Sequence, residues 1–158
     1  MTAANFNLAS REEYNAPFTI SATITGADML EFAGNKILLK IGEIIGQQSE
    51  LYSDKPRQKG IDVEYAHYYD RIITVEIPEG FKLDGLEALK KDVKVLDADG
   101  KPMAFFTSEY KIEGGKLIIN IIESYNALEL PIEKYSEFRS VINAASDFNK
   151  ITLVLNKI

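Results

Sequence analysis

Alternation between two sets of side chains over "IDVEYAHYYDRIITVEI", residues 61–77, is the feature that most constrains how this chain folds. Successive side chains of a β-strand point to opposite faces of the sheet, so a two-residue repeat is typical of a strand with one buried face. The stretch predicts one very long strand, or two strands with a break near residues 68–71. The "PEG" triplet at residues 78–80 has the composition of a turn and ends the strand.

The odd-numbered residues of this stretch carry most of its apolar side chains, and we assign them to the core face. That face includes His67, the only histidine of the chain. The alternation is weakest at Asp70 and Arg71, which we place at the solvent-exposed edge of the strand. His67 is therefore expected to be a partly buried strand residue.

Further segments show the same repeat. "FTISATIT" at 18–25 predicts a half-buried antiparallel strand, and "ITLVLNK" at 151–157 predicts another. "VKVL" and "MAFFTSEYKI" flank "DADGKP", whose Asp-Gly pair is typical of a hairpin turn. "EGG" at 113–115 then turns the chain into the strand "KLIINIIESY".

The segment "NKILLKIGEIIGQQSELY", residues 35–52, is apolar, contains β-branched residues and is interrupted by two glycines. An amphipathic helix is one interpretation, but Gly42 and Gly46 would each cost such a helix about 1 kcal/mol. We therefore favour two strands separated by a bend.

One segment has the repeat of a helix. In "PIEKYSEFRSVINAASDFNK", residues 131–150, apolar side chains recur at spacings of three and four, which predicts one apolar helix face. The residues on that face are Tyr135, Phe138, Val141, Ile142 and Ala145. Asn149 is a candidate left-handed stop for this helix.

Hairpin-connected strands followed by one helix predict an all-β fold, a mostly antiparallel β-sandwich with one short C-terminal amphipathic helix. A length of 158 residues fits a single domain. We place that domain at residues 13–158 and interpret residues 1–12 as an N-terminal extension or first strand.

Composition excludes several functions. The formal net charge is −6, whereas a nucleic-acid-binding module normally displays a basic stripe, so we expect no nucleic-acid partner. The chain has no cysteine and a single histidine, which excludes thiol nucleophiles, thiolate metal sites and multi-histidine zinc sites. We find no apolar run long enough to span a membrane, and no signal-peptide pattern at the N-terminus. The sequence predicts no catalytic residue, no cofactor and no metal.

Two acidic features have competing interpretations. "DADG" at 97–100 resembles the start of a calcium loop, but the twelfth position is Ser108 rather than a glutamate and the flanks are predicted strands, which favours a plain hairpin turn. Glu109 and Glu123 lie on adjacent predicted strands and form a candidate carboxylate pair for glycoside chemistry. A ladder of surface charges is the simpler explanation of the two glutamates.

Aromatic residues form the candidate ligand platform, which consists of Tyr65, His67, Tyr68 and Tyr69. Aromatic platforms on β-sandwiches bind sugars or peptides. Tyrosine is also a favoured strand residue, half-buried with its hydroxyl in water. The platform supports an alternative function, a carbohydrate- or peptide-binding module.

Four stretches carry a resemblance to a known family: "GEIIGQQSELY", "RIITVEIPEGFKLDGLEAL", "FTSEYKIEGGKL" and "FRSVINAASDFNKITLVL". From about Glu13 onward, the chain resembles the C-terminal β domain of transglutaminase-like proteins of Bacteroidetes, a domain of unknown function. Those proteins generally consist of a signal peptide, an N-terminal β domain, a papain-like transglutaminase core and this C-terminal domain.

The resemblance implies a non-catalytic accessory domain, because the family's Cys-His-Asp set lies in the central core and no position here matches it. It also implies that the partner is the transglutaminase-like core of the same parent chain. A polysaccharide or peptide ligand is expected from the aromatic platform and not from the resemblance. The parent protein is expected in the periplasm or at the cell surface.

Overall fold

The computed structural model describes residues 2–8, 19–25, 28–53 and 55–158. The described strands are β1 (Thr2–Leu8), β2 (Ile20–Thr25), β3 (Leu30–Ala33), β4 (Lys36–Leu39), β5 (Ile61–Asp62), β6 (His67–Glu76), β7 (Phe81–Asp84), β8 (Lys91–Leu96), β9 (Pro102–Glu113), β10 (Lys116–Tyr125), β11 (Glu129–Leu130) and β12 (Leu153–Lys157). The α-helix α1 spans Tyr135–Asn149, and short 3-10 helices lie at Ile41–Ile45, Leu86–Leu89 and Ile132–Lys134. All pairings between these strands are antiparallel.

The larger sheet contains β6, β10, β9 and β8 in that order. The "DADGKP" turn joins β8 to β9, and there Asp97 Oδ1 accepts hydrogen bonds from the backbone N–H groups of Asp99 and Lys101, at 2.9 and 2.7 Å. The "EGG" turn joins β9 to β10, with Gly114 and Gly115 both at positive φ, which glycine adopts without steric cost. Both predicted hairpins are confirmed.

A second four-stranded sheet has the order β3-β4-β12-β7. Its strand β12 lies between two partners from earlier in the chain, because Leu155 is paired with Ile37 of β4 on one side and with Leu83 of β7 on the other. Among the described strands, β1 pairs with β2 and β5 pairs with β11 as two-stranded sheets.

Both four-stranded sheets and α1 contribute side chains to one hydrophobic core. The rings of Phe148 in α1 and Phe106 in β9 lie 5.8 Å apart, and Leu153 of β12 is fully buried in the same core. On the predicted face of α1, Phe138, Val141 and Ala145 are buried and Tyr135 and Ile142 are half-buried. The all-β class, with antiparallel sheets and one C-terminal helix, is confirmed.

The second strand predicted within residues 35–52 is absent, and Ile41–Ile45 form a 3-10 helix after β4 instead. This helix packs on the end of α1: a Cβ added to Gly42 would lie 2.1 Å from the Phe148 carbonyl oxygen. The Asn149 side-chain amide donates to the carbonyl oxygens of Gly42 and Gly46, at 3.2 and 2.8 Å. Contact with α1 therefore overrides the β propensity of the segment.

The stretch 61–77 is interrupted earlier than predicted. β5 ends at Asp62 and β6 begins at His67, so the break lies at residues 63–66 instead of 68–71. The core face is confirmed at Ile73, which is buried, and at His67, which is half-buried. Placing Arg71 at the exposed edge was wrong, because its side chain lies on that core face and pairs with a buried carboxylate.

Two smaller predictions are corrected. Asn149 is not a left-handed stop, since it is the last residue of α1 and Lys150 after it has φ −87°. β2 is a strand paired with β1, but its residues 20–23 are exposed rather than half-buried. Phe18 of the same predicted strand lies outside the described residues.

No helix in the described part of the chain is long and apolar enough to cross a membrane.

Candidate functional site

A pocket of about 600 Å³ opens where β6 begins and β10 ends. His67 and Tyr125, the terminal residues of these two strands, are directly paired. Residues 45–49, β5 and α1 supply the other walls. The volume lies within the range of small-molecule sites.

A partly buried ion pair forms part of the pocket wall. Arg71 Nη1 donates a hydrogen bond of 2.9 Å to Glu123 Oε2, and the side chains are 23% and 5% exposed. The Arg71 guanidinium also lies over the Tyr69 ring, 4.5 Å from its centroid. The pair and the stacking contact together fix the orientation of the guanidinium.

Tyr125 completes this network. Its hydroxyl donates a 3.0 Å hydrogen bond to the other carboxylate oxygen, Glu123 Oε1. Burial, together with the neighbouring Glu123 carboxylate, raises the pKa of the Tyr125 phenol above its ordinary value. Tyr125 therefore acts as a protonated donor, and both oxygens of Glu123 have a partner.

His67 is the centre of an aromatic cluster beside this network. Its ring lies 4.6 Å from that of Tyr125, 5.1 Å from that of Tyr65 and 5.6 Å from that of Tyr69. His67 Nδ1 is 2.9 Å from the backbone oxygen of Tyr65, to which it donates when that nitrogen carries the proton. The cluster closes the pocket along β6.

Comparison with known families decides where the chain belongs. The model of the DUF3858 family, described as a domain of unknown function with a solved structure, matches residues 35–155. The chain belongs to the DUF3858 family. The matched range contains all the residues that line the pocket. The chain matches no curated protein and no solved structure.

The DUF3858 fold divides the four predicted platform residues between two faces. Tyr65, His67 and Tyr69 form the ring cluster, but Tyr65 lies beside the pocket and does not line it. Tyr68 points to the opposite face, because side chains alternate along β6. The two neighbours have similar exposure, 56% for Tyr68 and 44% for Tyr69, and differ mainly in the face that they occupy.

Glu109 and Glu123 do not form a carboxylate pair. Glu109 is opposite Asn120 in the register, whereas Glu123 is opposite Phe106, so the two glutamates lie on different faces of the larger sheet. Among the described residues of this DUF3858 chain, no group of three or more histidine, aspartate or glutamate side chains is arranged to hold a metal ion.

Sequence reasoning named Glu123 only as a candidate partner of Glu109, and it did not name Arg71 or Tyr125 as members of the site. The sequence does contain a signal for Glu123, which follows Leu117, Ile119 and Ile121 at the same two-residue spacing. An acidic residue at a core position is expected only when it is paired. Its partner, Arg71, is 52 residues away in the chain, so the pairing depends on the register of β6 against β10.

Tyr125→Phe is expected to remove part of the decrease in the free energy of unfolding that the wild type shows at alkaline pH. The raised pKa means that the folded protein keeps the phenol proton where the unfolded chain, with a pKa of about 10, loses it. The contribution of the protonated Tyr125 phenol to the free energy of unfolding is fully present below about pH 10. It is lost as the pH rises toward the folded-state pKa.

Urea unfolding of the wild type and Tyr125→Phe across this range measures the effect. The free-energy difference between them should be constant from about pH 7 to 9 and shrink above about pH 10, by at most ~1.4 kcal/mol per pH unit. A difference that stays constant to about pH 11 would contradict it.

Proposed function

We propose that this chain is a non-catalytic accessory domain of a transglutaminase-like, papain-like thiol hydrolase, located in the periplasm or at the cell surface. The main support is that the stretches that resemble such proteins lie inside the range matched by the family model. The four stretches that resemble the C-terminal domain of such proteins lie at residues 42–52, 71–89, 106–117 and 138–155, all within the DUF3858 match at 35–155.

The side chains of this chain support the non-catalytic part of the proposal. The sequence has no cysteine, so it cannot supply the nucleophile of a thiol hydrolase. The buried carboxylate, Glu123, is already bound by Arg71 and Tyr125. The thiol chemistry belongs to the core of the parent protein, and this domain supports that core.

The outer face of the larger sheet is the surface that we assign to contact with the hydrolase core. Tyr68 and Ile72 of β6 are exposed there, and three half-buried apolar residues surround them. The five residues, called the outer patch, are Tyr68, Ile72, Phe105, Ile118 and Ile122. They are cross-strand or diagonal neighbours in the register, and burying apolar area contributes about 25 cal/mol per Å².

Ile72→Lys in the full-length gene product tests this contact. Ile72 is 69% exposed in this chain, so the change should leave the domain itself folded while it places a charge in the interface. We expect the melting temperature of the hydrolase core to fall by about 4–8 °C and its activity to fall with it. Differential scanning calorimetry and a hydrolase assay measure both.

Phe32→Lys is the matched control, because Phe32 is 77% exposed on β3 of the other sheet. It should leave the core's melting temperature and activity unchanged. Equal effects from the two variants would refute the assignment of the outer patch. If deletion of residues 35–155 from the full-length protein alters neither stability nor activity, the accessory function is wrong.

A further inference from the structure

We propose that the pocket at the start of β6 binds a neutral oligosaccharide, with Tyr69 and Arg71 as its main contacts. This inference goes beyond the accessory function, which depends on the opposite face of the sheet. It also differs from the aromatic platform predicted from the sequence, since Tyr65 and Tyr68 do not line the pocket and Arg71, Asp62 and Gln47 do.

Arg71 presents hydrogen-bond donors to the pocket in a fixed orientation. A guanidinium carries five N–H donors, and within the described residues only Glu123 Oε2 accepts one of them. The ion pair and the stacking on Tyr69 hold the group in place before a ligand arrives. Pre-organised donors lose little conformational entropy on binding, which favours the use of the remaining N–H groups for a ligand.

The lining presents both polar and apolar surface, and its most exposed residues carry polar groups. Gln47, Ser49, Asp62 and Tyr69 are exposed, whereas the apolar residues of the lining are buried or half-buried. Amide, hydroxyl and carboxylate groups offer both donors and acceptors, and each sugar hydroxyl is itself both a donor and an acceptor.

Charge selects a neutral ligand. The pocket holds one cation, Arg71, and two carboxylates, Glu123 and Asp62, in a chain of net charge −6. An anionic ligand would be repelled by the two carboxylates, and a cationic ligand would be repelled by the Arg71 guanidinium. A polyhydroxyl compound has neither penalty.

Tyr69 supplies the remaining element, an accessible aromatic ring. At 44% exposure it presents an apolar ring that carries a polar hydroxyl, a combination suited to the mixed polar and apolar faces of a pyranose. His67 contacts Tyr69 edge-on at 5.6 Å and so restrains its ring.

The single histidine provides the measurement. His67 lines the pocket, so its imidazole proton signals in NMR report binding there without assignment of the whole spectrum. The probes are cellotetraose, chitotetraose and maltotetraose, with tetraalanine as the peptide probe, each added to the 158-residue chain. At least one sugar should shift the His67 signals saturably, with a dissociation constant of about 1 mM or tighter.

Tyr69→Ala and Tyr68→Ala are the matched pair of variants, because they remove adjacent tyrosines from opposite faces of β6. Tyr69→Ala should weaken sugar binding about tenfold, while Tyr68→Ala should change it less than about twofold. If circular dichroism shows that Tyr69→Ala does not fold, Asp62→Asn replaces it, with the same expected direction.

Three outcomes would overturn the proposal: no sugar shifts the His67 signals up to about 10 mM, tetraalanine alone shifts them, or both tyrosine variants weaken the binding equally. None of these results affects the accessory function, whose test uses Ile72 on the other face and reads out the stability of the hydrolase core.

Discussion

Gly42→Ala destabilises the domain by about 3 kcal/mol or more, the largest effect that we expect from the loss or gain of a single methyl group. The added Cβ would lie 2.1 Å from the Phe148 carbonyl oxygen and 2.6 Å from both the carbonyl carbon and oxygen of Asn149. These are backbone atoms of the last turn of α1, so no side chain can rotate to make room. Either the 3-10 helix or the end of α1 must move.

Such a movement would also break nearby hydrogen bonds. The Gly42 N–H donates to the Ile151 carbonyl oxygen at 3.0 Å, and the Asn149 amide donates to the Gly42 carbonyl oxygen at 3.2 Å. Phe148, fully buried against Phe106, would lose packing as the helix end shifts.

Gly34→Ala is the matched control for this prediction. Gly34 is in the β3–β4 turn with φ +63°, and a Cβ there would have no neighbour within 4 Å. Only the left-handed backbone is penalised, at about 1 kcal/mol. Urea unfolding of both variants followed by circular dichroism gives the comparison, and a Gly42→Ala cost no larger than that of Gly34→Ala would show that the helix end yields easily.

Arg71→Met is expected to destabilise the protein by about 3 kcal/mol. The substitution keeps much of the apolar stem but leaves the Glu123 carboxylate, 4% exposed as a residue, with Tyr125 as its remaining donor. A buried charge without its counter-ion loses its water without gaining an equal interaction in the protein.

Two further proteins isolate this cause. Arg71→Met combined with Glu123→Gln removes the uncompensated charge while Gln keeps an acceptor for Tyr125, so most of the stability should return. Lys116→Met is the surface control: Lys116 pairs with Glu76 across the same two strands, but both side chains are exposed, and the cost should be below ~1 kcal/mol. Equal costs for Arg71→Met and Lys116→Met in urea unfolding would contradict the burial argument.

Local signals in the sequence predicted much of the fold. The Asp-Gly turn at 99–100 and the glycine pair at 114–115 mark both hairpins of the larger sheet, because these turns need residues that tolerate their backbone angles. The three- and four-residue spacing of Phe138, Val141 and Ala145 predicted the buried face of α1. In these cases the local pattern and the tertiary structure agree.

The errors lie where distant segments determine the local structure. Ile41–Ile45 has strand-like composition, yet its conformation follows from contact with α1, more than 100 residues later. Arg71 looked like a residue at the edge of a strand because its partner, Glu123, is 52 residues away. Of the residues that line the pocket, the sequence therefore indicated His67 and Tyr69 as candidates, whereas the pairing of Arg71 with Glu123 was not predicted.

The position of β12 has a consequence for how the protein is made. β4 and β7 are joined in their sheet only through β12, so this sheet cannot close until Leu153–Lys157 have left the ribosome. The strands of the larger sheet lie within residues 91–125 and 67–76, so this sheet can assemble on the nascent chain while β4 and β7 are not yet paired with β12. During translation, the two halves of one core therefore mature at different times, and the interval between them is when unpaired strand edges are open to a chaperone or to another nascent chain.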